Sequence, residues 1–276
     1  MAIIMKIVLF TAGLGNQIFQ YFFCQYLSDL YPQEKIYGCY DKAILNNHNG
    51  LEVQEIFDIE LPPSSWFSHA IVRLIRALYK RTKWSWLGSF DECDKDTLYY
   101  EGYWHKSRLF DKYVKSLKFR SHKLSAENAM ALKAINNSFS VSIHIRRGDY
   151  LDPIRSKDFA NSCPLSYYQA GINYAQSNNP EATFFIFSDD IPWVKDNLPV
   201  PNAVYVDWNK GRQSFWDMYL MSQCKANIIA NSSFSFWGAM LGIEKEFVIK
   251  PKRWIGNEVP EIFPESWKTL SDESGA

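Results

Sequence analysis

From residue 139 to residue 251 the chain repeats one pattern: a short apolar run rich in β-branched and aromatic residues, a turn, then a helical stretch. The runs are FSVSIHIR (139–146), ATFFIFSDD (182–190), AVYVD (203–207), NIIANSS (227–233) and EFVIKP (246–251). Between them lie LSYYQAGINYAQSNN, opened by Pro164, then QSFWDMYLMSQCKA (213–226) and SFSFWGAMLG. A strand that returns through a helix emerges parallel to its predecessor, and a parallel sheet is buried on both faces. The pattern predicts a parallel α/β layer for this half of the chain.

The first half opens the same way. IIMKIVLF (3–10) reads as a buried strand, TAGLGNQ as a glycine-rich turn, and IFQYFFCQYLSDLY (18–31) as a helix, with KIYGCY (35–40) a possible second strand. Polar, irregular sequence follows up to the Pro62–Pro63 breaker, and TLYYEGYWHKSRLF (97–110) has strand character. SAENAMALKAINNS (125–138) is a helix with Ser125 as its cap. With 276 residues, 47% of them hydrophobic, the chain can bury two cores. Two α/β domains are expected, 1–137 and 138–276.

Thirty basic residues balance thirty acidic ones, so no broad electrostatic footprint for nucleic acid exists. Five cysteines without a CxxC suggest neither a disulfide framework nor a thiolate zinc site, and a reducing compartment is expected. The opening MAIIMKIVLFTAG is too short and too soon followed by glycine for a signal peptide, and no apolar run of about 18 residues occurs. The aromatic share, 16%, must be largely core, with some rings open to use as platforms for sugars or bases.

SSWFSHAIVRLIRALYKRTKWSWLG (64–88) is a helix whose apolar stripe is Trp66, Ala70, Ile71, Leu74, Ile75 and Leu78. Arg73, Arg76, Lys80, Arg81 and Lys83 flank it, and residues 61–90 contain no acid. Two readings stand. The helix packs on its own domain with a solvated basic side, or the patch rests against an anionic bilayer or carbohydrate-lipid surface, anchored by Trp84 and Trp86.

Alternation along 139–146 puts Phe139, Val141, Ile143 and Ile145 on one face and Ser140, Ser142, His144 and Arg146 on the other. Open parallel sheets bind ligands beyond the carboxyl ends of their strands, where His144, Arg146, Arg147, Gly148 and Asp149 fall. Planar, permanently charged guanidinium groups suit phosphate oxygens, and a diphosphate would explain two of them beside a glycine. The alternative is an Arg–Asp pair that fastens a loop, Asp149 orienting one arginine. Asp189 and Asp190 either bind magnesium with phosphates or cap the helix near Ile191. Ser232 and Ser233 bring hydroxyls and helix-terminal amides toward one spot, an anion site or a plain cap. GLGN (13–16) lacks the third glycine of a dinucleotide fingerprint, and no GxxxxGK, HExxH or GxSxG occurs.

AGLGNQIFQYFF (12–23), YYEGYWHKSRLF (99–110), SIHIRRGDY (142–150), PLSYYQAGI (164–172), FIFSDD (185–190) and MSQCKANIIANSSFSFWGAML (221–241) resemble, in order, the bacterial α-1,2-fucosyltransferases of glycosyltransferase family 11. The family segment usually reads close to CKHNIIANSSFSWWGAW; here Ala226 stands for the histidine and Phe236 for a tryptophan. The resemblance implies a GT-B fold, two facing Rossmann-like domains, with GDP-fucose held mainly by the second and the acceptor by the first. It implies inverting transfer with no required metal or other cofactor, the donor substrate being GDP-fucose. By the motif, Arg146 meets the diphosphate with Arg147 beside it, and His144 lies by the donor. Asp217 pairs with the guanine edge, and Ser232 and Ser233 hold phosphate or ribose oxygens. Gly13, Gly15, Asn16 and Gln17 shape a cleft. Asp149 is the first candidate base and His144 the second.

The implied acceptor is a terminal β-galactoside receiving fucose at O2, as in O-antigen or surface-polysaccharide synthesis. The implied place is cytoplasmic, with peripheral contact at the inner face of a bacterial membrane and no nucleic-acid partner. A transferase using another purine-nucleotide sugar, or a glycan-binding protein without catalysis, remains the alternative.

Overall fold

Two parallel sheets carry the fold, one in each of two units, Met1–Arg120 and Ser121–Ala276. The computed structural model describes residues 5–46, 48–82, 88–89, 97–151, 163–256 and 258–270, with the side chains of 79–82, 88, 89, 149 and 151 excepted.

In the first unit β1 (Met5–Leu9), β2 (Lys35–Cys39), β3 (Gly88–Ser89) and β4 (Tyr99–Tyr100) form a parallel sheet in the order β2-β1-β4-β3. Helix α1 (Leu14–Leu30) begins four residues earlier than the apolar periodicity predicts, so Gly15, Asn16 and Gln17 are its first turn and not a loop. No side chain caps it at Gly13. The turn is fixed by Gln17, whose Nε2 donates to Ala12 O (3.0 Å) and Gly50 O (2.8 Å) while its Oε1 accepts from Glu52 N and Val53 N. Gln20 does the same for the other flank, accepting from Thr11 N and donating to Gly102 O. Two short helices follow, α2 (Lys42–Leu45) and α3 (Val53–Ile56).

The aromatic surplus of this half goes mainly into its core. Phe19, Phe22, Phe23, Tyr100, Trp104 and Phe110 are buried, and Phe23 stacks on Trp104 at 3.9 Å. Rings so placed are unavailable as sugar platforms.

Helix α4 (Trp66–Thr82) is oriented differently from the expected stripe. Ser68, Val72 and Ile75 face the sheet, whereas Trp66, Ala70, Leu74 and Leu78 are exposed. The reason is local: Ser68 Oγ bonds Ser65 O and reaches Gly38 O at the edge of β2, rotating the helix onto its smaller side chains.

In the second unit β5 (Ser140–Ile145), β6 (Thr183–Ser188), β7 (Ala203–Val206), β8 (Ala226–Ile228) and β9 (Phe247–Ile249) run parallel in the order β7-β6-β5-β8-β9. The helices are α5 (Ala126–Asn136), α6 (Leu165–Asn178), α7 (Ile191–Asn197), α8 (Phe215–Gln223) and α9 (Ser233–Met240). Ser125 caps α5 as expected, accepting from Asn128 N at 3.2 Å. Helix α5 packs against α8 and β5, so the chain divides at 120/121, before this helix; from the sequence the boundary falls after it, at 137/138.

Strand β5 is buried on both faces, as a parallel sheet covered by helices requires, and its residues divide between the two faces as the alternation predicts. Val141, Ile143 and Ile145 join Tyr168, Ile172, Ile186 and Ile228 in one core. The opposite core is built by Phe185, Phe187 and Val206 with Ala131, Ile135, Leu220 and Met221. Ser140 and Ser142 survive there because each is bonded: Ser140 Oγ accepts from Lys225 N, and Ser142 Oγ from Asn227 Nδ2. The two departures from the family segment are core positions, Ala226 inside β8 and Phe236 among Trp237, Phe263 and Trp267.

Gln17→Ala leaves the buried amides of Glu52 and Val53 without acceptors, at about 1–3 kcal/mol for each group stranded. Amide exchange at residues 52 and 53 should accelerate at least tenfold while that of β5 is unchanged. Unchanged exchange at 52 and 53 would show that Gln17 does not hold this loop.

Candidate active site

The strand order of the second sheet reverses at β5: β6 and β7 lie to one side, β8 and β9 to the other. Chains leaving the carboxyl ends of β5 and β8 therefore diverge, and a ligand-binding crevice in such sheets opens there. The two sequence motifs singled out above, IHIRRGDY and NSSFSFWG, leave those two strands. A hydrogen bond from Tyr150 Oη to Asn231 O (2.8 Å) joins them. Asn231 is itself fixed, donating from Nδ2 to Trp254 O at 2.8 Å.

The two arginines differ. Arg146 Nη1 lies 3.0 Å from Asp189 Oδ2, and its side chain stays 31% exposed, within reach of a ligand. Arg147 is pinned: Nε bonds Asp190 Oδ2 at 3.1 Å and the guanidinium lies 3.4 Å over the Trp193 ring. Asp189 also accepts from Arg147 N through Oδ1 (2.9 Å), so one carboxylate holds both a side chain and the backbone beside it. Gly148 allows that approach, since a Cβ there would sit 2.6 Å from Asp189 Oδ2. Asp190 caps α7, accepting from Trp193 N at 3.2 Å, as the capping reading expects. The carboxylates that fasten the arginines thus come from the neighbouring strand; the side chain of Asp149, expected in this role, lies outside the described residues.

His144 is buried at the end of β5 beside Phe234, with Nδ1 lacking a hydrogen-bond partner among the described residues. Burial, then the charge of Arg146, pull its pKa down to about 4 against the opposing pull of Asp189. It is a neutral imidazole near pH 7. Ser232 is the N-cap of α9, its Oγ accepting from Phe234 N at 3.3 Å, while Ser233 in the first turn is half-buried.

Asp217 belongs to a separate network in the first turn of α8. Its Oδ1 accepts from Asn209 Nδ2 (2.8 Å), Asn209 exchanges amide bonds with Asn128, and Trp208 Nε1 donates to Asn128 Oδ1. Burial raises its pKa to about 7, opposed by the Asn209 bond and by Lys210. Among the described residues this network runs from Asp217 through Asn209 and Asn128 to Trp208, apart from the arginine cluster.

In the first unit Gly15 is buried in α1, and Asn16 Oδ1 lies 3.3 Å from His105 Nε2. The His105 ring packs on Phe19 and Tyr103, and burial lowers its pKa to about 4. Tyr150, Trp193 and Asn231 have positioning contacts that the sequence reading missed. Tyr150 closes the IHIRRGDY motif itself, whereas Trp193 carries no signal until the arginine is seen stacked on it.

The family model described as glycosyl transferase family 11 matches residues 73–270. An α-1,2-colitosyltransferase of Escherichia coli is 30% identical over 93% of this chain and 96% of its own. The O-antigen biosynthesis glycosyltransferase WbnK of Escherichia coli is 38% identical over 49% of this chain, an alignment spanning only 45% of that relative. A galactoside α-(1,2)-fucosyltransferase 1 from Leontopithecus chrysomelas is 28% identical over 37% of this chain and 28% of its own. A match of this extent, running through both strand-end motifs, makes the chain a member of glycosyl transferase family 11.

Proposed function

We propose that the protein transfers L-fucose from GDP-fucose to O2 of a terminal β-galactoside, with inversion at the anomeric carbon. The observation that carries this reading is Arg146, held by Asp189 at the point where the sheet order reverses and still part-exposed. A fixed guanidinium there meets the diphosphate on which negative charge builds as the C1–O bond breaks. Preorganised donors of this kind commonly contribute on the order of 3 kcal/mol to the transition state. The amides and hydroxyl at Ser233 face the same charge type, with the positive end of α9 behind them.

Asp217 suits the guanine edge, whose N1–H and N2–H donors need an ionised acceptor. The acceptor hydroxyl bonds to C1 of fucose, GDP departs with the electron pair, and the hydroxyl proton passes to a base. Asp149 is the first candidate for it. His144, with a pKa near 4, is a weak base at neutral pH, and its role is closer to a neutral hydrogen-bonding partner beside the donor. Gly15 and Asn16 are assigned to the acceptor side with the first unit, on the family resemblance alone.

The full-length similarity to a colitosyltransferase favours one second reading: a donor lacking the sugar 3-hydroxyl, carried by the same diphosphate chemistry. A donor panel separates the two. GDP release should be fastest with GDP-fucose and a β-galactoside, in the presence of EDTA; a preference of tenfold or more for the 3-deoxy donor overturns the fucose assignment. Glycan binding with no nucleotide turnover by any donor would overturn catalysis itself.

Arg146→Ala should lower kcat at least a hundredfold, and activity within threefold of the parent removes the leaving-group role. Asp189→Asn should lower kcat about tenfold or more with a smaller change in GDP affinity, because it loosens Arg146 without touching the ligand. An equal loss in affinity and kcat would mean that Asp189 only builds the pocket.

The pH dependence of GDP affinity follows from Asp217. Its carboxyl is neutral below about pH 7 and ionised above it, so affinity should rise between pH 6 and pH 8, and Asp217→Asn should abolish that rise. Stability runs the other way. The folded chain holds a proton on Asp217 that the unfolded chain releases near the ordinary carboxylate pKa, so this group's contribution falls as pH climbs from about 4 to about 7. Asp217→Asn should therefore raise Tm at pH 8 more than at pH 4.5. A flat GDP affinity in the parent would reject the guanine assignment.

A further inference from the structure

We propose that the outward face of α4 is a docking surface for an anionic lipid bilayer. The face is defined by side chains four residues apart, Trp66, Ala70, Leu74 and Leu78, all exposed. Trp66 is 83% exposed, Leu74 61% and Leu78 42%, and no other described helix presents three large apolar side chains outward along one line. The rotation of α4 that buries Ser68 and Val72 is what turns them out.

Charge selects the occupant. Residues 61–90 hold no Asp or Glu, and Arg73, Arg76, Lys80, Arg81 and Lys83 lie along or just beyond the helix. Arg73 and Arg76 bond Asp41 and Glu101, which lie outside that stretch and tie the helix to its own unit. A second copy meeting this face through a two-fold axis would set this acid-free, Arg- and Lys-rich stretch against itself, with Asp41 and Glu101 already engaged by Arg73 and Arg76, which is repulsive. A bilayer imposes no such match. An interfacial helix lays its apolar side into the acyl boundary, keeps its cations at the headgroups, and commonly places tryptophan at that level. The helix is about 26 Å long, enough to lie along the surface over several turns. No described helix is long and apolar enough to cross a membrane, so the contact is in the plane.

The test uses the full chain and no nucleotide, so its outcome is independent of the proposed reaction. Co-sedimentation with vesicles of phosphatidylglycerol and phosphatidylcholine should exceed that with phosphatidylcholine alone at least fivefold, and about 0.5 M NaCl should remove most of the difference. The variant Trp66→Ser, Leu74→Gln, Leu78→Gln should lose at least tenfold in binding with unchanged circular dichroism. Lys80→Gln, Arg81→Gln, Lys83→Gln should lose the preference for phosphatidylglycerol. Binding by the apolar variant equal to the parent overturns the proposal. So does a parent that ignores anionic vesicles, or a parent dimer in light scattering that the apolar variant converts to monomer.

Discussion

The carboxylate of Asp189 is the tie on which the site is built. It leaves the end of β6 and reaches the backbone and the guanidinium that leave the end of β5, taking Arg147 N on one oxygen and Arg146 Nη1 on the other. A buried strand alone cannot set the direction of an arginine beyond its own end, because four flexible torsions separate backbone from charge. The neighbouring strand supplies the missing reference. Gly148 is part of the same device, since any side chain there would occupy the space the carboxylate needs.

The tie works because the sheet beneath it is rigid. Strand β5 is the innermost of its sheet, paired to β6 on one side and β8 on the other, with apolar cores on both faces. The polar residues inside that sandwich are almost all answered: Ser140 by Lys225 N, Ser142 by Asn227, Tyr167 Oη by the carbonyls of Ile229 and Ile249. His144 Nδ1, at the carboxyl end of the strand, and Asn227 Oδ1 on β8 depart from that rule among the described residues.

What the sequence could show follows from what short-range patterning encodes. The alternation of apolar runs and helices indicated the parallel sheet of the second unit and placed Arg146 just beyond the end of β5, because both depend on neighbours in the chain. The caps at Ser125, Asp190 and Ser232 were legible for the same reason. The partners that the arginines find among the described residues were not: Asp189 and Asp190 lie more than forty residues away, brought close by β5–β6 pairing. The two faces of β5 were legible, since alternation separates Val141, Ile143 and Ile145 from the bonded serines opposite.

Helix α4 shows the same limit from the opposite side. Its apolar stripe contains enough large side chains for a core-facing surface, and hydrophobic periodicity alone would bury Leu74 in place of Ser68. The small Ser68 instead reaches the carbonyls of Ser65 and Gly38, and the helix settles where that hydroxyl is bonded. The face that packs thus combines Ile71, Val72 and Ile75 with a bonded Ser68, and the largest apolar residues lie outward. Such exposure on an otherwise well-packed chain, set within a stretch free of acids, is a property of the folded protein that the linear pattern could only suggest.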